Sequence, residues 1–379
     1  MPRRLVVCRD GTWNEPDQRR GGKGEAVPTN VAKLALGVLT RGPSSQLMYY
    51  EPGVGTAPDD HIVGGVFGYG LSRNVCNAYR FLAHSFESGD QLYLFGFRRG
   101  AYTARSLAGL IRNCGILRRE CADQVDEAFA LYRDRTSRTH PRALASQIFR
   151  EMYAHPDDEI HFIGVWDTVG ALGIPTELPG WRWLSERVHG WERLWGFHGI
   201  QLSSHVRFAY HALAIDETRE PFKPTMWTRD DAADGQTLEQ VWFAGVHTEV
   251  GGGAEDASLS DIALLWMVEK AQACGLEVKP SRLAPRAPDG AGEPIDPKYD
   301  GPIVDLRKGV WKAARLPPTH PTGRAVSAGP VRGLERRAAP APRDRPLLAS
   351  GTPRLPGQPA ADGGRRAVAH APAGWLTTR

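Results

Sequence analysis

Apolar runs alternate with amphipathic segments along most of this chain, and this alternation predicts its secondary structure. The apolar runs predict buried strands at residues 5–8, 46–50, 92–95, 160–166, 208–215 and 240–245. Apolar positions spaced three or four apart predict helices at residues 31–38, from residue 72, at 101–117 and from 262 to about 274. Strands that alternate with helices are typical of a parallel sheet covered on both faces. The pattern therefore predicts an α/β protein with a mostly parallel central sheet flanked by helices.

A second pattern appears in residues 171–200, which are rich in tryptophan. The tryptophans there are Trp181, Trp183, Trp191 and Trp195. If this segment is helical, Leu184, Val188, Trp191 and Trp195 share one face. We predict a helical cap or insertion whose Trp stripe packs on the main body. A lid or an interfacial patch is the alternative, because Trp favours membrane interfaces.

Residues 315–379 break the pattern altogether. They contain 11 Arg, 11 Pro and 8 Gly, but no Lys, Ile, Phe, Tyr or Met. Such a segment cannot bury enough apolar surface to offset the entropy lost when it orders. We therefore predict one domain at residues 1–314 and a low-complexity, disordered tail at 315–379. A frameshifted or aberrant gene end is the second interpretation, because Arg, Pro, Ala and Gly dominate off-frame translation of GC-rich DNA.

The net charge of +4 is unevenly distributed, because the tail carries 11 Arg against 3 acidic residues. The remaining residues hold 36 basic and 40 acidic side chains, so nothing in them suggests a nucleic-acid partner. The five Cys residues have no CxxC or CxxH spacing, which predicts buried free thiols rather than a zinc site or a disulfide framework. We expect no metal and no cofactor.

The N-terminal residues do not resemble a signal peptide. Residues 1–4 are basic, but the apolar run at 5–8 is too short for a signal core. No apolar run approaches the length of a transmembrane segment. We expect a cytoplasmic chain whose export would need a signal-independent secretion system.

The segment Gly96-Phe97-Arg98-Arg99-Gly100 is the main candidate for chemistry. It ends one apolar strand and opens a helix, which is the layout of the nucleophile elbow in α/β-hydrolases. The two glycines let strand and helix cross closely, and the middle residue lies on a sharp turn. In a working hydrolase that residue would be Ser, whereas here it is Arg98.

Two later residues complete a catalytic order. Asp167 follows the strand at 160–166, and His247 follows the strand at 240–245. Nucleophile, acid and then base is the chain order of α/β-hydrolases. His removes the proton of the nucleophile, and a carboxylate fixes the His tautomer and stabilises the imidazolium. Taken singly, a helix-capping Asp or a structural His is the more ordinary interpretation, but the three positions together are more specific.

The loop after the first strand supplies further candidates. Asp10, Gly11 and Thr12 form a polar loop where α/β sheets place groups that face a ligand. The phosphatase signature Asp-x-Asp-Gly-Thr is excluded, because Cys8 stands where its first Asp is required. We predict that Asp10, Gly11 and Thr12 lie at the pocket, together with Arg99, whose backbone N–H would help to bind an oxyanion.

Six segments resemble a single family. They are residues 10–14 (DGTWN), 50–56 (YEPGVGT), 94–105 (LFGFRRGAYTAR), 165–170 (VWDTVG), 210–217 (YHALAIDE) and 242–253 (WFAGVHTEVGGG). They resemble the uncharacterised α/β-hydrolase domain family that includes type VI secretion phospholipase effectors of the first class. The resemblance runs from about residue 3 to residue 276.

This resemblance implies an α/β-hydrolase fold with lipase or phospholipase activity, in which position 98, Asp167 and His247 form the triad. Family members delivered by type VI secretion attack the membranes of rival bacteria, and many others have no known substrate. The implied partners are a phospholipid or small ester substrate, a secretion-system component and an immunity protein.

The chain departs from the family pattern at two places. The family elbow reads Gly-Phe-Ser-Arg-Gly, so Arg98 replaces the expected Ser. The residues after the family His are usually Ser-Asp, and here they are Thr248 and Glu249. Arg has no lone pair to attack a carbonyl and is not deprotonated in proteins, so we predict that this chain is inactive as a hydrolase.

Two interpretations of Arg98 remain open. In the first, the chain is a hydrolase disabled by a change that needs a single base. In the second, it is a non-catalytic pseudoenzyme that binds an anionic lipid, a phosphate or a protein partner in the former pocket. We also expect the Arg98 side chain to pair with a carboxylate at the pocket mouth, either Asp10 or Glu249.

Overall fold

The computed structural model describes residues 2–11, 27–40, 46–53, 65–134, 136–168, 201–219, 222–229, 233, 235–283, 295–303 and 376–378. Its strands are β1 (Arg4–Arg9), β2 (Gln46–Glu51), β3 (Gln91–Phe97), β4 (Ile160–Trp166), β5 (Val206–Ala214), β6 (Thr237–Phe243) and β7 (Leu376–Thr378). Its helices are α1 (Asn30–Gly37), α2 (Gly65–Ser85), α3 (Arg99–Cys114), α4 (Val125–Arg133), α5 (Leu144–Tyr153), α6 (His247–Gly251), α7 (Ser258–Ala273) and α8 (Pro280–Leu283).

The strands form one sheet in the order β2-β1-β3-β4-β5-β6-β7. The first six strands are parallel to their neighbours, and β7 is antiparallel to β6. In this sheet β2 lies on one side of β1 and β3 lies on the other, so the direction in which successive strands are added reverses at β1. The carboxyl ends of β1 and β3 flank this switch point, which is where open α/β sheets bind ligands.

Both faces of the sheet are buried, which explains why its strands read as continuous apolar runs. Successive side chains of a strand point to opposite faces. Leu5 and Val7 therefore pack with α2, α3 and α4, whereas Val6 and Cys8 pack with α1 and α7. The prediction of a mostly parallel sheet flanked by helices, of the α/β-hydrolase-like class, is confirmed.

The predicted helix starts and ends differ slightly from the observed ones. The helix predicted at 101–117 is α3, which begins two residues earlier and ends before Gly115, whose φ of 73° few other residues adopt. The helix expected from residue 72 is α2, which begins at Gly65. Thr29 caps α1, since its side chain accepts a hydrogen bond from the N–H of Ala32 at 3.1 Å.

Two sequence predictions lie outside the described residues. The Trp-rich cap at 171–200 falls wholly within residues 169–200, so it stays a prediction. The same holds for the disordered tail, of which the structure describes only the short strand β7. Within the described part of the chain, no helix is both long enough and apolar enough to cross a membrane.

Candidate active site

The turn between β3 and α3 has the conformation of a strained elbow. Arg98 has φ 55° and ψ −119°, a region of backbone space that non-glycine residues rarely enter. Its N–H donates to the carbonyl of Trp166 at 3.3 Å, which fixes the turn beside the end of β4. Residue 98 is therefore presented at the carboxyl edge of the sheet, as the sequence predicts.

The two glycines of this turn are required by close approach. A Cβ atom on Gly96 would lie 2.5 Å from the carbonyl oxygen of Gly100, on the facing turn of α3. A Cβ atom on Gly100 would overlap the carbonyl group of Arg9, at the end of β1. The elbow is thus held tightly against both β1 and the first turn of α3.

Asp167 is the second strained residue at this edge. It directly follows β4, it is fully buried, and its φ is 37°. Its N–H donates to the carbonyl of Ala212 at 2.8 Å, and its Oδ1 accepts from the N–H of Ala214 at 3.2 Å. The end of β5 therefore fixes the orientation of the Asp167 carboxylate, and its Oδ2 can accept from a second partner.

That second partner is His247, the first residue of α6. Its Nδ1 lies 2.5 Å from Oδ2 of Asp167. A carboxylate oxygen at this distance accepts the Nδ1 proton, which leaves Nε2 with a lone pair for accepting another proton. Nε2 is buried and has no hydrogen-bond partner among the described residues. The structure thus brings Asp167 and His247 into contact, and their catalytic role stays a prediction.

The surroundings of His247 favour its neutral imidazole. Burial lowers the pKa of His247 most strongly, and the Arg98 cation lowers it further. The carboxylates of Asp167 and Glu217 act in the opposite direction, and the net result is a lowered pKa. The ring also packs against Phe97, with ring centroids 4.7 Å apart, and against Phe222 at 5.0 Å.

Arg98 meets an aromatic ring and a second cation instead of the expected carboxylate. Its guanidinium carbon lies 5.6 Å from the ring centroid of Phe222, and the guanidinium of Arg219 lies 3.9 Å from the same centroid. Burial lowers the pKa of Arg98, and the Arg219 charge adds to this effect. Cation–π attraction is the main favourable contact described for the Arg98 side chain.

The predicted pairing of Arg98 with Asp10 or Glu249 is therefore wrong for the described residues. Oδ2 of Asp10 accepts from the hydroxyls of Thr29 at 2.6 Å and Tyr50 at 2.9 Å. Oε2 of Glu249 accepts from the N–H of Val246 at 2.9 Å. These hydrogen bonds stabilise the loop after β1 and the start of α6, and neither carboxylate contacts the Arg98 guanidinium.

The loop after β1 lies at the same edge of the sheet. Oδ1 of Asp10 accepts from the N–H of Gly11 at 2.7 Å, both residues are buried, and the Asp10 carbonyl oxygen lies beside the elbow glycine Gly100. Arg99 opens α3, so the positive end of that helix dipole is at residue 98. Burial and the neighbouring Arg98 lower the pKa of Arg99 to about 9. Thr12 lies outside the described residues.

Comparison with known proteins identifies the family of this chain. Residues 3–270 match the family model described as the type VI secretion (T6SS) phospholipase effector Tle1-like catalytic domain. The chain belongs to this family. The matched range includes the elbow, Asp167 and His247, and it ends within α7.

One curated relative is far longer than the region that aligns with this chain. Over 246 residues the chain is 30% identical to an uncharacterized protein of Saccharomyces cerevisiae, an alignment that covers 59% of this chain and 32% of the yeast protein. The chain thus spans about a third of the length of this curated relative.

Two solved structures are also similar to the chain. The first is an uncharacterized protein from Pseudomonas aeruginosa, with TM-score 0.44 and 16% identity over 76% of this chain and 48% of that one. The second is a thermophilic esterase from Thermogutta terrifontis, with TM-score 0.35 and 15% identity over 76% of this chain and 86% of that one.

Sequence reasoning missed Glu217, Arg219 and Phe222 as site residues. Glu217 and Arg219 form a bidentate pair: Oε1 of Glu217 accepts from Nε of Arg219 at 2.8 Å, and Oε2 accepts from an Arg219 terminal N–H at 2.6 Å. Oε2 of Glu217 also accepts from the backbone N–H of His247 at 3.3 Å. Glu217 ends the segment YHALAIDE, which carried the family resemblance without a role for any residue. Its position after β5 was the available signal, because β5 lies between β4 and β6.

His211 was missed for the same reason. It is fully buried in β5, and its Nε2 accepts from the N–H of Thr168 at 3.3 Å, next to Asp167. A backbone N–H only donates, so Nδ1 carries the proton and donates to Oε1 of Gln240 at 3.4 Å. Burial, with a smaller effect of Arg105, lowers the pKa of His211 to about 3, so this acceptor persists down to acidic pH.

Proposed function

We propose that this chain has the catalytic fold of a serine-dependent lipid esterase, that residue 98 is its nucleophile position, and that Arg98 disables hydrolysis. The observation that carries the proposal is the buried Asp167–His247 pair, whose Nε2 has no described partner and whose ring lies beside the same Phe222 as Arg98. Membership of the Tle1-like phospholipase effector family supports an acyl ester of a membrane lipid as the substrate class.

A Ser side chain at position 98 would complete the reaction. Its Oγ would attack the acyl carbon while His247 Nε2 takes the hydroxyl proton, and the acyl C=O electron pair would move to oxygen. Collapse of this intermediate would expel the alcohol, which takes the proton back from Nε2 and leaves an acyl-enzyme. Water, activated by the same Nε2, would then release the fatty acid. Asp167 would hold the Nδ1–H tautomer throughout.

Arg98 cannot take this part, because its guanidinium has five donors and no lone pair for attack. Its charge also opposes protonation of His247, the step that activates a nucleophile. Loss of the nucleophile in serine hydrolases costs about 10⁶-fold in kcat. The hydroxyl of Thr103 does not replace it, because it donates to the carbonyl of Arg99 within α3 at 3.0 Å.

The test compares the chain as it stands with Arg98→Ser and Arg98→Ala. The substrates are p-nitrophenyl butyrate and phosphatidylglycerol vesicles, with released fatty acid measured by mass spectrometry. We expect hydrolysis by the Ser variant alone, at least about a thousandfold faster than by the Ala variant. Equal rates for the Ser and Ala variants, or comparable activity of the unaltered chain, would contradict the proposal.

A second candidate function is binding of an anion without catalysis. The observation that favours it is the concentration of Arg98, Arg99 and Arg219 at one edge, where burial and mutual repulsion lower the pKa of the first two. A phosphate or anionic headgroup there would offset this repulsion. Calorimetry with inorganic phosphate tests this second function. Tight binding of phosphate to the unaltered chain, abolished in Arg98→Ala, would support a pseudoenzyme. No binding of phosphate would reject this function.

Export is the third part of the proposal. The family description supports delivery of this chain by a type VI secretion system, which needs no signal peptide, with an immunity protein as the partner in the producing cell. Inactivating the sheath of that system in the source organism should keep the protein inside the cells. Unchanged appearance in the medium would reject this route.

A further inference from the structure

A large cavity lies away from Asp167 and His247, on the face of the sheet that α3 covers. Its volume is about 770 Å³, within the range of small-molecule binding sites. None of Arg98, Asp167 and His247 lines it. We propose that this cavity binds an anionic amphiphile of the fatty-acid class, with the alkyl chain on the cavity floor and the carboxylate at Arg112 and Arg142.

The floor of the cavity is apolar and suits an alkyl chain. It is formed by Ala108, Ile163, Leu202, Val206 and Trp227, all of which are buried. Four of these five side chains are aliphatic and come from three separate parts of the chain, so they form a continuous surface under α3. Burying methylene groups on such a surface is favourable, because it removes apolar area from water.

The rim of the cavity is positively charged. Arg112 lines it from α3, and Arg142 lines it from the loop before α5. Asp134 is the one acidic residue among the described lining residues, so the rim favours an anion over a cation. The hydroxyls of Thr136 and Ser137 add hydrogen-bond donors at the same exposed end. An apolar floor with a cationic rim matches a molecule with one long apolar part and one anionic end.

Arg105 marks the inner end of the cavity. It is buried, and its guanidinium carbon lies 4.7 Å from the ring centroid of Trp227. Burial lowers its pKa to about 9, which still leaves it charged at neutral pH. It donates to the carbonyl of Thr225, and the Thr225 N–H donates to the carbonyl of Thr168 at 3.1 Å. The inner wall is thereby tied to the residue that follows Asp167.

The experiment uses the full chain with Arg98 in place, so it does not depend on hydrolysis. Isothermal calorimetry compares decanoate with decyltrimethylammonium, which has the same alkyl chain and the opposite charge. We expect saturable, one-to-one binding of decanoate and at least about tenfold weaker binding of the cation. Equal affinity for the two probes, or no binding of decanoate, would overturn the proposal.

Three variants locate the binding. Arg142→Glu should weaken decanoate binding about tenfold, the effect of losing one hydrogen bond to a charged group. Arg138→Glu is the matched control, since Arg138 is exposed in the same loop but does not line the cavity, and it should bind as the unaltered chain does. Val206→Trp should fill the floor and abolish binding. Circular dichroism verifies that each variant is folded. If the folded variants Arg142→Glu and Val206→Trp both bind decanoate with unchanged affinity, the site is rejected.

Discussion

Nδ1 of His247 and Oδ2 of Asp167 lie 2.5 Å apart, and both side chains are almost fully buried. The opposite nitrogen of the same ring has no hydrogen-bond partner among the described residues. A buried polar atom without a partner costs free energy, so folded proteins retain few of them outside functional sites. We propose that His247 Nε2 is the general base for a nucleophile at position 98, and Arg98 cannot be that nucleophile because its guanidinium is not deprotonated in proteins.

The pH dependence of Arg98→Ser should report this base. Neutral His247 accepts the proton, so kcat/KM should fall as the pH decreases through the pKa of His247. Burial, the largest effect on that pKa, remains in this variant and lowers it, whereas loss of the Arg98 cation raises it relative to the unaltered chain, so the acid limb should not exceed the usual value of about 6.5. Measurement of kcat/KM from acidic to neutral pH tests this. A limb above 6.5, or one that persists after His247→Ala, would be inconsistent with this role.

Glu217→Gln should move the acid limb of the kcat/KM profile towards lower pH. The Glu217 carboxylate raises the pKa of His247, so its neutralisation should lower that pKa and leave the Arg219 cation without its partner. The pH profile of Arg98→Ser/Glu217→Gln should therefore shift towards lower pH. Asp216→Asn removes the same charge one residue earlier, where the carboxylate accepts from the Gly245 N–H at 2.7 Å. An equal shift for both variants would reject a specific effect of Glu217.

His211 should act as a positioning residue for Asp167. His211→Leu removes the acceptor for the Thr168 N–H, so the Asp167–His247 hydrogen bond should lengthen, whereas the amide of His211→Gln can replace both ring contacts. The measurement is the proton NMR signal of the His247 Nδ1–H, which a short bond to a carboxylate shifts far downfield. We expect the signal to move upfield in His211→Leu and to be restored in His211→Gln. Identical spectra of a folded Leu variant and the unaltered chain would exclude this role.

Acid should destabilise the fold through the same residue. The His211 pKa is about 3 when folded, whereas an unfolded imidazole takes up its proton near pH 6.5. Between these pH values the unfolded state binds more protons, so the free energy of unfolding is highest above about pH 6.5 and falls as the pH decreases towards 3. Urea denaturation across this range should show a loss on the order of 4 kcal/mol from this group. His211→Gln should flatten the dependence, and an equally steep slope in that variant would assign it to other groups.

Gly100→Ala should lower the free energy of unfolding more than an alanine at a glycine with free space around its Cα. The added Cβ would overlap the Arg9 carbonyl group, so β1 and α3 must move apart, at a cost of about 2 kcal/mol or more. Gly89→Ala is the control, because its Cβ meets nothing within 4 Å, although its φ of 88° costs about 1 kcal/mol. Urea denaturation measures both, and equal losses would mean that the elbow is not tightly packed.

Several parts of the site were accessible from local sequence alone. The Gly-x-x-x-Gly turn follows an apolar run, and Asp167 and His247 each follow another. Because parallel strands end at the same edge of a sheet, these three positions could be placed together without coordinates. The Arg98 pairing failed because it required knowing how Asp10 and Glu249 were already engaged. Asp10 bonds to Thr29 and Tyr50, which are far from it along the chain.

The sequence by itself determined the fold class, the order of the six strands β1 to β6 along the chain, and the position of the elbow, since these depend on local periodicity and on turn chemistry. Only the tertiary structure decided what surrounds Arg98, because the approach of Phe222 and Arg219 depends on how the segment after β5 returns across the sheet edge. It also decided that His211 supports Asp167 and that a cavity opens under α3. Side-chain partners distant in sequence are selected by packing, and no short-range pattern encodes them.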